Sequence, residues 1–260
     1  MVMYELTNSW LGRLASFIWW THMYLYNIRS STESSPEWCA RGLSLLHGTV
    51  AASAGLWQYF QYELHIPGKM MPSHYALMYW SWGYFAFDLL WCLVYWTDAL
   101  LMLFCHISVL AATTIYMQEG HSGSTFACTL FLMEITDPLL QMRWFLKKEG
   151  FEDTYFFGFI ELLYLALFLT LRGVLGTYII YRIFQINAFC WEIKLISLSF
   201  YIVSIILLYD VVGYTLCKRK WDINIGHQRF VKFFNVTNSI TFNEWQRKQI
   251  KEIKSIDSVT

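Results

Sequence analysis

Ala76-Leu77-Met78-Tyr79-Trp80-Ser81-Trp82-Gly83-Tyr84-Phe85-Ala86-Phe87-Asp88-Leu89-Leu90-Trp91-Cys92-Leu93-Val94-Tyr95-Trp96 holds a single charged residue, Asp88. As a helix rising about 1.5 Å per residue, the run reaches about 30 Å, the thickness of a bilayer's hydrocarbon core. It reads as a membrane span. A charge inside a span is costly, so Asp88 is expected to face a bundle interior or a wet cavity. The whole chain agrees with this reading. Of its 260 residues 56% are apolar and 19% aromatic, while 15% are charged, against about 25% in an ordinary soluble domain. Too few polar side chains remain to cover a water-facing surface, and the apolar content excludes a disordered chain.

Six further apolar runs surround this one, at residues 9–26, 39–60, 99–116, 124–145, 155–184 and 193–217. The fold class expected is therefore all-α: a polytopic transmembrane helical bundle of about seven spans. The first run is the weakest, because Arg13 sits inside it. Only Thr97 and Asp98 separate the third from the fourth, which implies a tight helical hairpin. The sixth is longer than a bilayer requires and should tilt, extend into the interface, or break near Gly173 and Gly176.

Charge sets the orientation. One set of loops carries Arg29, then Arg143, Lys147 and Lys148, then Lys218, Arg219 and Lys220, and the other carries little beyond Lys69 and Lys194. The basic side is expected in the cytosol, with a lumenal N-terminus and a cytosolic tail. The tail has nine Lys/Arg against four acids from Lys218 on, and its Phe230, Phe233 and Phe234 fit an interfacial helix resting on anionic lipid. The Asn235-Val236-Thr237 sequon then faces the cytosol. No patch is basic enough for nucleic acid, so none is expected as partner. The N-terminus lacks a basic start and a cleavage site, and reads as a retained span. Six cysteines without a CxxC spacing give neither a disulfide framework nor a zinc cluster, and no metal site is expected.

The spans hold many ionisable residues: His47, Asp88, His106, Glu134, Asp137, Glu161, Arg172 and Asp210, with Asp98 and Arg143 near span ends. So many imply a polar interior. Glu134, Asp137 and Gln141 fall on one helix face, with Pro138 placed to kink the helix there. Tyr84, Asp88, Trp91 and Tyr95 form a second polar-aromatic face. His47 lies among Gly48, Ala51, Ala52, Ala54 and Gly55, small residues that let helices approach closely. A histidine beside a carboxylate can relay a proton or activate an amine, and His106 with Asp88, Asp98, Glu134 or Asp137 is the pairing available. Hydrogen bonding between helices explains the same residues, and spacing alone favours it. Glu161 or Asp210 are possible counter-ions for Arg172. The segment from Glu119 to Ser124, with His121, reads as a plain turn.

Several motifs bear a resemblance to a known family. They are Trp38-Cys39-Ala40-Arg41 followed by Leu46-His47-Gly48, then Gly83-Tyr84-Phe85-Ala86-Phe87-Asp88, then Asp98 with Cys105-His106. The last and most specific is Glu134-Ile135-Thr136-Asp137-Pro138-Leu139-Leu140-Gln141-Met142-Arg143-Trp144-Phe145-Leu146. In order and interval they resemble the TLC (TRAM-LAG1-CLN8) domain family. The last run, with Asp88-Leu89-Leu90-Trp91-Cys92, is most similar to the subgroup called TLC domain-containing protein 5, or transmembrane protein 136. The resemblance implies a six-helix barrel at residues 37–217, an extra N-terminal span and loop at 1–36, and a basic cytosolic tail at 218–260.

It also implies a setting in the endoplasmic reticulum and a bearing on lipid homeostasis. Some members are ceramide synthases of sphingolipid metabolism, others influence phospholipid composition or act as cargo receptors. Where the synthases carry adjacent histidines, this chain has Cys105 before His106, so only the second is matched.

The function expected is lipid binding in an intramembrane cavity, lined by His47, Tyr84, Asp88, His106, Glu134, Asp137 and Arg143, with membrane lipids as partners and no cofactor. Whether the chain is an enzyme stays open. One alternative is an N-acyltransferase using acyl-CoA as co-substrate and a sphingoid base, with His106 as general base and Asp98 or Asp88 orienting it. Arg143, Lys147 and Lys148 would then meet the acyl-CoA. Another is a cargo or adaptor protein acting through its tail.

Overall fold

The computed structural model describes residues 2–30, 35–62, 70–95, 100–120, 122–187 and 191–221. Among them every regular element is helical: α1 (Val2–Ser30), α2 (Pro36–Tyr62), α3 (Pro72–Val94), α4 (Leu100–Glu119), α5 (Gly123–Glu134), α6 (Asp137–Lys148), α7 (Tyr155–Leu167), a π-helical segment (Phe168–Leu175), α8 (Gly176–Gln185) and α9 (Trp191–Trp221). Pro36 and Pro72 open their helices and Pro138 stands second in α6, positions where a missing N–H costs nothing. A Schellman closure ends α6: Gly150, at φ +80°, lets its N–H reach the Lys147 carbonyl while the N–H of Phe151 reaches that of Leu146. Thr154 then caps α7, its hydroxyl accepting from the N–H of Phe157 at 3.2 Å.

The first apolar run packs into the helical bundle despite Arg13. Helix α1 lies against α3, where a Cβ on Gly83 would sit 2.6 Å from the Cβ of Ser16. Only glycine permits that approach. Trp20, fully buried, donates its indole N–H to the Trp80 carbonyl at 3.1 Å. Helices α2 and α5 are as close, since a Cβ on Gly55 would meet the Ala127 carbonyl at 2.7 Å. Gly48 in turn faces Asp137 and Pro138 of α6. The small residues flanking His47 thus set how near α5 and α6 come to it.

One expectation is revised and one alternative falls away. The fifth run is not one kinked helix: it breaks at Ile135 and Thr136 into α5 and α6. The sixth does not break at Gly173 and Gly176. It continues unbroken from Tyr155 to Gln185, absorbing its irregularity as the π-helical segment, whose wider turn is a common device at functional sites.

Two of the described helices are long and apolar enough to cross a membrane, Tyr155–Gln185 at a hydropathy of 1.8 and Trp191–Gly213 at 2.2. Only 17% and 18% of their apolar windows are buried. They turn Phe159, Leu162, Val174, Leu195 and Ile202 outward, a surface suited to lipid. Trp, Tyr and polar groups lower the hydropathy of α1, α2 and α3, and α5 and α6, of 12 residues each, are too short to cross singly. Among the described residues that measure therefore marks these two of the expected seven spans.

Candidate functional site

Polar side chains meet where α2, α3, α4, α5 and α6 converge, and two histidine–carboxylate pairs form the centre. In the first, His47 of α2 is wholly buried. Its Nδ1 lies 3.3 Å from Oε2 of Glu134, off hydrogen-bond alignment, and its Nε2 lies 3.3 Å from the Ser81 hydroxyl. The Tyr84 ring stacks on the imidazole, centroids 3.9 Å apart and planes 8° from parallel. Trp20 and Phe85 close its edges. Both ring nitrogens therefore face polar atoms, and one ring face is covered by Tyr84.

In the second pair His106 of α4 places Nε2 2.9 Å from Oδ2 of Asp88 on α3. A carboxylate only accepts, so Nε2 carries the hydrogen, and the neutral ring then presents Nδ1 as a base. That Nδ1 is buried without a hydrogen-bond partner. The Asp88 side chain is 17% exposed, so this pair lies nearer the edge of the packing than the first. Phe85 separates the two, its ring 5.2 Å from His47 and 5.7 Å from His106. Asp137 sits within electrostatic reach of Glu134, Arg172, Asp88 and His106, which makes the two pairs one charged cluster.

Arg172 enters this cluster from the π-helical segment. Its Nη2 donates to the Met133 carbonyl at 2.6 Å and reaches the Thr136 hydroxyl at 3.4 Å, bonding a carbonyl just before the break after α5. The wider π turn and the broken helix thus meet at one side chain. Neither Glu161 nor Asp210 is seen paired with Arg172. Glu161 binds Arg143 instead, at 3.1 Å, and the side chain of Asp210 lies outside the described residues. A further network joins the starts of α2 and α6. Arg41 bonds Glu37 at 2.9 Å and donates to the Gln141 side-chain Oε1 at 3.1 Å, and the Gln141 Nε2 donates to the Ser44 hydroxyl at 2.9 Å.

An apolar groove reaches the cluster from the side of α8 and α9. Two cavities of about 70 and 40 Å³ share Thr129, Met133, Ser197 and Phe200. Arg172 lines the first and Glu134 the second. Both are small and partly open, with room inside for a few methylene groups.

Of the residues expected at the site, His47, Tyr84 and Glu134 come together, as do Asp88 and His106, with Asp137 beside both groups. Arg143 stands apart with Glu161. Asp98 and His121 lie outside the described residues, as does the tail beyond Trp221. Sequence reasoning missed Ser81, although Ser81, Tyr84 and Asp88 fall on one face at i, i+3 and i+7. It also missed Ser197 and Phe200, which carry no chemical signal. And Cys92, expected to take no part in any ligand set, stands in a group with Asp88 and His106 whose donor atoms all lie within 4.8 Å of one another.

The sequence profile of the TLC domain, TRAM_LAG1_CLN8, matches residues 37–209. That range covers α2 through most of α9, including every residue of the two histidine pairs. With more than half of the chain matched, this protein belongs to the TLC domain family and is an integral membrane protein of lipid-related function.

Proposed function

We propose that this protein binds a membrane lipid at its polar centre and so influences membrane lipid composition. One observation carries the reading. Glu134 belongs both to the buried His47 pair and to the wall of the apolar groove. An amphiphile needs that combination: burial of its chain contributes about 25 cal/mol per Å² of apolar surface, while a few placed polar groups orient its head. The chain lies along Thr129, Met133, Ser197 and Phe200, and the head meets His47, Glu134, Asp137, Asp88 and His106. On this reading the seven rods cross the bilayer, the N-terminus is lumenal, the tail is cytosolic, and the setting is the endoplasmic reticulum. The Asp88–Cys92 and Glu134–Leu146 motifs support the protein 5 subgroup within the family.

Ser197 lines both cavities, so Ser197→Trp fills the groove without touching the charged cluster. The purified wild type should carry a selective lipid, and the variant should lose most of it at unchanged thermal stability. Equal lipid in both would contradict the groove's role.

A second reading is favoured by the His106–Asp88 geometry: N-acyl transfer from acyl-CoA to a sphingoid amine. Asp88 holds Nε2, and the open Nδ1 takes the amine proton as the N–C bond forms and the thioester C–S bond breaks. That proton then passes to the departing thiolate. Purified protein given acyl-CoA and a long-chain base should yield an N-acyl lipid and free CoA thiol in equal amounts. Their absence removes this reading and leaves lipid binding standing.

A further inference from the structure

We propose that Asp88, Cys92 and His106 bind a divalent transition-metal ion, zinc foremost, between α3 and α4. Asp88 and Cys92 are four residues apart, so one face of α3 presents a carboxylate and a thiol one turn from each other. His106 of α4 faces them, its Nε2 already 2.9 Å from Asp88. One donor atom from each residue lies within 4.8 Å of the other two. In tetrahedral zinc coordination, with bonds of about 2.0–2.3 Å, donors sit about 3.4–3.6 Å apart. Reaching it requires the His106–Asp88 contact to open slightly and the Cys92 thiol to turn inward, both movements of rotamer size.

The donor types narrow the ion. Imidazole, thiolate and carboxylate together suit zinc, whereas calcium and magnesium take oxygen donors. Three protein ligands leave a fourth position for water or substrate, the pattern of catalytic rather than structural zinc. Charge supports the assignment as well. The Asp88 carboxylate and the Cys92 thiolate together neutralise a divalent ion, so the loaded site carries no net charge into the membrane interior. Binding releases one proton, from the Cys92 thiol, and moves the His106 ring hydrogen from Nε2 to Nδ1 so that Nε2 is free to ligate. The site is also reachable: Cys92 is two residues from the end of α3 at Val94, and Asp88 is partly exposed. Three residue types on two helices, drawn from separate stretches of sequence, form no CxxC or HExxH signature, so spacing does not reveal the set.

The proposal stands apart from the lipid reading, because metal content is read without reference to lipid. The test uses full-length protein purified without chelators after expression in zinc-supplemented medium. Elemental analysis should find about one zinc per chain. Cobalt(II) exchanged into the site should give intense visible d–d bands of tetrahedral geometry and a near-ultraviolet thiolate-to-cobalt band. Cys92→Ser should abolish the thiolate band and bring zinc to background, with helicity by circular dichroism unchanged, and Asp88→Asn should weaken retention. Cys105→Ser, altering the thiol next to His106, should leave both signals intact. Wild-type protein holding no zinc and giving no thiolate-to-cobalt band would overturn the proposal whether or not the variants fold. So would equal zinc in Cys92→Ser.

Discussion

The two histidine–carboxylate pairs have the same chemistry and opposite surroundings. His47 has polar atoms 3.3 Å from both ring nitrogens, a tyrosine stacked on one face and no exposure. His106 has one nitrogen held at 2.9 Å, the other without a hydrogen-bond partner, and a carboxylate that is partly exposed. Nδ1 of each ring is buried without an aligned hydrogen bond, but that of His47 faces the Glu134 carboxylate at 3.3 Å, whereas that of His106 faces no ion-pair partner among the described residues. A nitrogen left so open in a low-dielectric interior is costly unless something else uses it. On the proposed reading the difference gives His47 the larger share in the packing and His106 the larger share in the binding.

Five substitutions sharpen or break that division. The largest stability loss is expected from His47→Ala, which leaves Glu134 buried opposite a void. Removing one partner of a buried pair costs about 3–5 kcal/mol, read as a lower thermal midpoint in nanodiscs. Adding Glu134→Ala should recover part of this loss, because contacting residues do not add. A simple sum of the single effects would mean that the pair is not coupled.

Gly55→Val comes next. Its side chain would drive α2 from α5 at the Ala127 carbonyl and disturb His47 indirectly, an overpacking cost of about 1–3 kcal/mol. If stability holds, the helices are not so closely apposed. His106→Gln should be milder for stability than either, because an open site contributes little to the fold. Its effect should fall on bound ligand, and a stability loss as large as that of His47→Ala would erase the distinction between the pairs. The smallest effect on bound lipid belongs to Arg41→Gln at the far network, where Arg41 stands 4.6 Å over the Trp144 ring. Losing that cation–π contact, the bond to Gln141 and the partner of the buried Glu37 should cost about 1–3 kcal/mol of stability and leave bound lipid unchanged.

Much of this arrangement can be read before any coordinates. The apolar runs foretell the helices, though hydropathy marks only two of those described as long and apolar enough to cross a membrane, and Asp88 stands out because an apolar run has no cheap place for it. The small residues around His47 foretell its close packing. The break after α5 is only half legible: Pro138 announces a kink, but not that Arg172, from a segment over thirty residues later, takes up the Met133 carbonyl. The π-helical segment is invisible, since the two glycines that suggest a break serve a widened turn instead. The pairing of His106 with Asp88 is one of four that spacing allows, and packing of α3 on α4 chooses it. The groove is illegible for a different reason. Its walls are ordinary apolar residues of α5, α8 and α9, and only their convergence makes a cavity.

The central claim is that the polar interior holds a lipid at its open pair. Native mass spectrometry tests it directly, comparing wild type with His106→Ala and Asp88→Ala released from the same membrane. A selective lipid on the wild type that is lost or exchanged in both variants is the predicted result. A wild type that is empty, or filled non-selectively and unchanged by either substitution, would mean that both pairs serve packing alone and would contradict the account.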